Sequence, residues 1–178
     1  MSHLPLPPLN FQRANKRLSQ NYLKDPNLLK KIVLTGGTKE GDRILEVGPG
    51  PGALTRALLS NGAHVTAVEL DSRFISDLQL WNHPHLHLIE GDILTIDLPQ
   101  VDRCIANIPY QITTPLLEKL LPLHIPLTLT VQKEAALRMI APIGSTDYSP
   151  LSLLCQYYAT LHIAFNIPRH LFTPIPHV

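Results

Sequence analysis

The chain has 178 residues, 44% hydrophobic and 16% charged, enough to bury one sizeable core and too apolar for a disordered chain. Its apolar runs fall far short of the roughly 20 residues of a membrane span, and the N-terminus, with Met1, Ser2, His3 and several prolines, lacks the apolar segment of a signal peptide, so a cytoplasmic protein with no membrane association is expected. The net charge of +1 conceals an asymmetry: residues 1–43 carry eight basic and three acidic side chains and the remainder seven and eleven, so the basic front end suits a polyanion such as RNA as well as it suits an ordinary solvated helix.

Residues 1–10 are proline-rich and aperiodic and are expected to form a flexible arm. Asp25-Pro26 reads as an N-cap followed by proline at the first helical position; Leu28, Leu29, Ile32 and Val33 give a helical stripe that Gly36-Gly37 stops. From Arg43 onward strands and helices alternate. The strands are expected at Ile44–Val47, His64–Glu69, His85–Ile89, Arg103–Ala106, Leu127–Val131 and Leu161–Ile167. The helices between them are expected at about 51–60, 71–81, 114–121, 133–141 and 150–158. Regular alternation predicts an α/β fold: a doubly wound, mostly parallel sheet with helices on both faces, and ligands beyond the carboxyl ends of its strands.

The unusual residues fall at those ends. Glu46-Val47-Gly48-Pro49-Gly50-Pro51-Gly52 joins the first strand to a helix, a turn where bare backbone can approach a ligand and unsatisfied N–H groups favour an acceptor. Gly48, Gly50 and Ala53 also fit the G-x-G-x-x-A form of a dinucleotide fingerprint, so the turn alone leaves the cofactor open. Glu69 ends the second strand nineteen positions after Gly50, where a carboxylate can accept both hydroxyl protons of a ribose. Gly91-Asp92 ends the third, where the Asp can accept from an adenine amino group. Asn107-Ile108-Pro109-Tyr110 ends the fourth. An Asn oxygen and a nearby backbone carbonyl can together hold an exocyclic NH₂, and a tyrosine can stack on the base for roughly 1–3 kcal/mol.

Asn107–Tyr110 resembles the [ND]-P-P-[YF] type of motif in methyltransferases that modify exocyclic amines of bases. With Leu18–Leu23, Glu46–Gly52, Glu69, Gly91-Asp92, Gln132-Lys133-Glu134 and Phe172-Thr173-Pro174-Ile175-Pro176, nearly the whole chain after the arm resembles the ribosomal RNA adenine dimethyltransferase family. Pro49 makes it most similar to the small-subunit type rather than to the large-subunit, macrolide-resistance type. The resemblance implies S-adenosylmethionine as cofactor, with Asn21, Leu23, Gly48, Gly50, Glu69, Leu70, Asp92, Ile93 and Asn107 around it. It implies a catalytic set of Asn107, Ile108, Pro109, Tyr110 and Phe172, in which Tyr110 and Phe172 sandwich the target adenine. The implied reaction is dimethylation of N6 of adjacent adenosines in a loop near the 3′ end of small-subunit rRNA. The partners would be that RNA and the immature small subunit, and a monomer is expected.

Two departures stand out. Gln111 replaces the family's usual Asn. The Phe172–Pro176 segment continues only to Val178, so the family's last strand and helical C-terminal domain are expected to be missing and residues 11–178 to be the catalytic domain alone. An NAD(P)-dependent oxidoreductase and a non-enzymatic ribosome-assembly factor remain alternatives. No metal site is expected: His83, His85 and His87 lack completing ligands, and Cys104 and Cys155 read as reduced core thiols.

Overall fold

A computed structural model describes residues 6–15, 18 and 20–176. Its centre is a five-stranded sheet of β2 (Arg43–Val47), β3 (His64–Glu69), β4 (Leu86–Glu90), β5 (Arg103–Asn107) and β6 (Leu127–Thr130), all parallel, in the order β4-β3-β2-β5-β6. The chain leaves β2 toward β3 on one side and reaches β5 on the other, so the strand order reverses between β2 and β5. A crevice opens at such a switch point, beyond the carboxyl ends.

Among the described residues six α-helices flank the sheet: α1 (Pro26–Thr35), α2 (Ala53–Ser60), α3 (Ser72–Gln79), α4 (Thr113–Leu120), α5 (Lys133–Met139) and α6 (Pro150–Tyr158). Strand alternation sends Ile44 and Ile105 toward α1 and α2, which supply Ile32, Val33, Leu54 and Leu58. Leu45, Val47, Cys104 and Ala106 face the other way, against Leu116 and Leu120 of α4. A third cluster joins α4 to α5 and α6 through Leu117, Met139 and Cys155. The Asp25 cap is formed as expected, with its carboxylate accepting from Leu28 N–H at 2.7 Å. Both cysteines are buried and reduced. No helix among the described residues is long and apolar enough to cross a membrane.

One expectation needs correction. Residues 161–167 form no strand: β6 ends the sheet, and the segment takes part in no strand pairing. Its alternation has another cause. Leu161 packs on the α5–α6 cluster, while Phe165 and Ile167 pack against the α1–α2 cluster, with the Lys31 ammonium 4.1 Å from the Phe165 ring centroid. Apolar residues at alternate positions can each serve packing without any strand pairing.

Of the segment expected to form a flexible arm, residues 6–10 contact the domain, and residues 1–5 lie outside the described residues. Leu6 and Leu9 pack on the α1–α2 cluster, the Pro7 carbonyl accepts from Arg56, and Asn10 donates to Asp77 at 3.0 Å.

A second, two-stranded sheet pairs β1 (Tyr22–Leu23) antiparallel with β7 (Phe172–Thr173). It brings the segment before α1 against the far end of the described chain, beside the crevice.

Gly52 opens α2 at φ +85°, and a Cβ there would lie 2.6 Å from both Leu78 Cδ2 and Trp81 Cη2. Gly144 has the same φ with nothing within 4 Å. Both Gly→Ala changes carry the left-handed penalty of about 1–2 kcal/mol, and only Gly52→Ala adds overpacking of about 1–3 kcal/mol. Urea unfolding is expected to show Gly52→Ala losing clearly more stability than Gly144→Ala; equal losses would show that Leu78 and Trp81 move aside freely.

Candidate active site

The turn after β2 is built from left-handed glycines and buried prolines: Gly48, Gly50 and Gly52 all have positive φ, and Pro49 and Pro51 are buried. Gly48 N–H donates to the Val68 carbonyl at 2.9 Å, which fixes the turn to β3. A Cβ on Gly48 would touch the Pro109 ring at 3.6 Å, and one on Gly50 would meet Tyr22 Cε1 at 3.4 Å. Glycine therefore lets this turn sit between the Asn107–Tyr110 turn and β1.

Glu69, 5% exposed at the end of β3, holds the turn from the other side. Its Oε2 accepts from Gly50 N–H and its Oε1 from Asp71 N–H, each at 2.9 Å. Burial pushes its carboxyl up, opposed by those N–H groups. Each oxygen has a second lone pair, so the carboxylate can still accept two hydroxyls. Next to it, Arg73 bonds Asp71 at 2.6 and 2.9 Å and draws its carboxyl down to about 2. Asp71 also accepts from Gln20 Nε2 at 2.8 Å, and Gln20 in turn accepts from the Tyr22 hydroxyl at 2.7 Å. That chain of bonds pins residues 20–22 along one wall of the cleft.

The cleft is lined by all the expected cofactor residues, namely Asn21, Leu23, Gly48, Gly50, Glu69, Leu70, Asp92, Ile93 and Asn107, and by Ile108, Pro109 and Tyr110. One Asp92 oxygen accepts from Leu94 N–H at 2.9 Å. Asn107 Nδ2 donates to the Asn21 carbonyl at 3.0 Å across 86 residues of sequence. With the amide nitrogen so engaged, Oδ1 is the acceptor the side chain offers elsewhere. Tyr110 starts a 3₁₀ turn after Pro109, and burial raises its phenol.

Phe172 is the exception. Its pairing with Leu23 places it in the core cluster with Leu29, Ile32 and Ile44, 6% exposed, and it does not line the cleft. The register of the β1–β7 pair places this ring in the core rather than beside Tyr110 in the lining.

Local sequence reading missed Gln20 and Tyr22 as site-forming residues and gave Glu46 no role of its own. Tyr22 and Gln20 act through partners such as Asp71, far along the chain. Glu46 did leave a signal, an acid within an apolar strand. It is 1% exposed, lines the cleft, and its Oε2 has no hydrogen-bond partner in the described structure. Burial pushes its carboxyl up to about 8; neighbouring Thr55 opposes that rise and the charge of Glu69 adds to it.

The family model for ribosomal RNA adenine dimethylase matches residues 11–178. The chain belongs to that family. It is 39% identical to a ribosomal RNA small subunit methyltransferase A of Lachnoclostridium phytofermentans, covering 92% of this chain and 61% of the relative. It is 42% identical to the corresponding protein of Thermosynechococcus vestitus, covering 93% and 67%. Among solved structures, a dimethyladenosine transferase from Plasmodium falciparum superposes with a TM-score of 0.77 at 38% identity over 87% of this chain and 59% of that one. The 23S rRNA methyltransferase ErmE does so at 0.70 and 28%, over 88% and 66%. The chain thus spans about three fifths to two thirds of the length of these relatives.

The family's cofactor is S-adenosylmethionine, and the cleft suits it. Among the described residues, those lining it include three acids, Glu46, Glu69 and Asp92, and no Lys, Arg or His. Such a lining favours a ligand that brings positive charge and hydrogen-bond donors.

The raised Glu46 carboxyl makes stability depend on pH. Between an ordinary value near 4.5 and about 8 the native state holds a proton that the unfolded chain has lost, so stability falls as pH rises through that window. Glu46→Gln has no such proton to lose. Thermal unfolding is expected to show the variant close to the unsubstituted protein near pH 5 and several degrees more stable at pH 8; a gap that does not change with pH would contradict the burial argument.

Proposed function

We propose that this chain is the catalytic part of an S-adenosylmethionine-dependent enzyme that dimethylates N6 of adjacent adenosines in a loop near the 3′ end of small-subunit ribosomal RNA. It would act as a monomer on immature small subunits in the cytoplasm. The observation that carries this reading is the Asn107 amide: Nδ2 is bound to the Asn21 carbonyl, so Oδ1 is left to accept from an exocyclic amine, at the switch point between β2 and β5.

The residues take complementary roles. Glu69 accepts from ribose hydroxyls with the lone pairs that Gly50 and Asp71 leave free. Asp92 accepts from the cofactor's adenine, Leu70 and Ile93 flank the ring, and the Gly48–Gly50 turn and Asn21–Leu23 hold the methionine end. When bound, S-adenosylmethionine supplies a methyl group already activated by its sulfonium. The protein then has to position the target. Adenine N6 is a poor nucleophile because its lone pair is delocalised into the ring. Oδ1 of Asn107 and the Ile108 carbonyl, holding its two protons, favour a pyramidal nitrogen with a directed lone pair. Pro109 fixes that turn without an N–H of its own. Tyr110 provides a stacking face for a base drawn out of its strand, which suits a loop better than a duplex.

Transfer of labelled methyl groups to immature small subunits, in single turnover with enzyme in excess, tests the reading. Asn107→Ala is expected to slow transfer by at least about 100-fold, the scale for removing one preorganised electrostatic contact. Equal rates would remove Asn107 from the mechanism. Transfer to large-subunit RNA in place of small-subunit RNA would overturn the substrate.

A further inference from the structure

Glu46 stands apart from the other acids of the cleft. Glu69 is satisfied by two backbone N–H groups and Asp92 by one. Glu46 sits deeper, on the central strand β2; it belongs to the lining of the same cleft, and its Oε2 is buried without a hydrogen-bond partner. Among the described residues, the titratable groups around it add no positive charge. Glu69 faces it from β3 and Cys104 from β5, while Tyr22, Tyr110 and Asp92 share the cleft lining; from α2 comes only the neutral Thr55. Burial keeps the Cys104 thiol neutral, up at about 12, and the Tyr22 phenol likewise at about 12.

We infer that Glu46 carries a proton in the empty cleft and surrenders it to solvent when the positively charged methyl donor enters, so that cofactor binding is coupled to release of one proton from this residue. The step balances simply: the carboxyl O–H bond breaks, the proton goes to buffer, and the carboxylate left behind faces a ligand that brings positive charge. A buried unpaired carboxylate is costly, and a buried carboxyl beside a cation gives up its proton. The cleft therefore stays neutral at Glu46 until it is filled and does not hold two bare carboxylates, Glu46 and Glu69, against each other. The inference rests on S-adenosylmethionine being the ligand.

Calorimetric titration of the chain with S-adenosylmethionine near pH 7, in two buffers of different ionisation enthalpy, measures the protons released. Close to one proton per ligand is expected. The affinity should tighten nearly tenfold per unit between about pH 6 and 7 and level off above about 8. Glu46→Gln should bind with the same heat in both buffers and without that slope, and it subtracts any proton from the ligand's own ammonium. Thr55→Val, which removes the neighbour that favours the charged form, should move the levelling-off to higher pH. Binding with equal heats in both buffers by the unsubstituted chain overturns the proton coupling alone. Undiminished proton release by Glu46→Gln overturns the assignment to Glu46. Absence of binding by the unsubstituted chain overturns the cofactor reading and the inference with it.

Discussion

The carboxylate of Glu69 is the joint on which the site depends. The parallel register of β2 and β3 ends with Val47 beside Val68, so the next residue of β3 reaches the turn that follows β2. From there one buried side chain takes Gly50 N–H with one oxygen and Asp71 N–H with the other. The first bond holds the glycine turn in its left-handed form; the second sets the start of α3. Asp71, held in place by Arg73, then binds Gln20, and Gln20 binds Tyr22, whose ring packs against Gly50. Turn, helix start and cleft wall thus form a closed ring of contacts. Breaking such a network inside a low-dielectric site costs more than any one bond in it.

This ring explains what could be read from the sequence and what could not. All five sheet strands, and helices α1 to α6, were visible because each is a local pattern: apolar residues at strand or helix spacing, punctuated by Gly, Pro or a capping acid. Asp25-Pro26 is one such signal and the structure caps α1 there. The strand-end residues Gly48, Glu69, Asp92 and Asn107 were visible because a parallel sheet collects its ligand groups at one end. What local patterns do not carry is contact with distant partners. Gln20 meets Asp71 and Phe172 meets Leu23, and no local pattern contains those pairs. Leu161–Ile167 misled for the converse reason, since alternation specifies faces without specifying neighbours. The docking of residues 6–10 by Arg56 and Asp77 likewise depends on α2 and α3 being in place first.

The charge of the cleft settles a choice that the glycine turn leaves open. The turn and the start of α2 suit either a dinucleotide pyrophosphate or the carboxylate of an amino-acid end. A pyrophosphate would enter a lining with the acids Glu46, Glu69 and Asp92 and, among the described residues, no basic side chain. At 4 Å each like-charge pair costs about 1–4 kcal/mol, depending on how much water remains. A zwitterion meets the same groups differently. Its carboxylate can lie at the helix start, while its ammonium and sulfonium face the acids. Glu46, buried in the lining with Oε2 unpartnered, is disfavoured as a carboxylate unless the cleft holds a cation. The acid buried in β2 therefore makes a glycine turn shared by two enzyme classes suit the methyl donor.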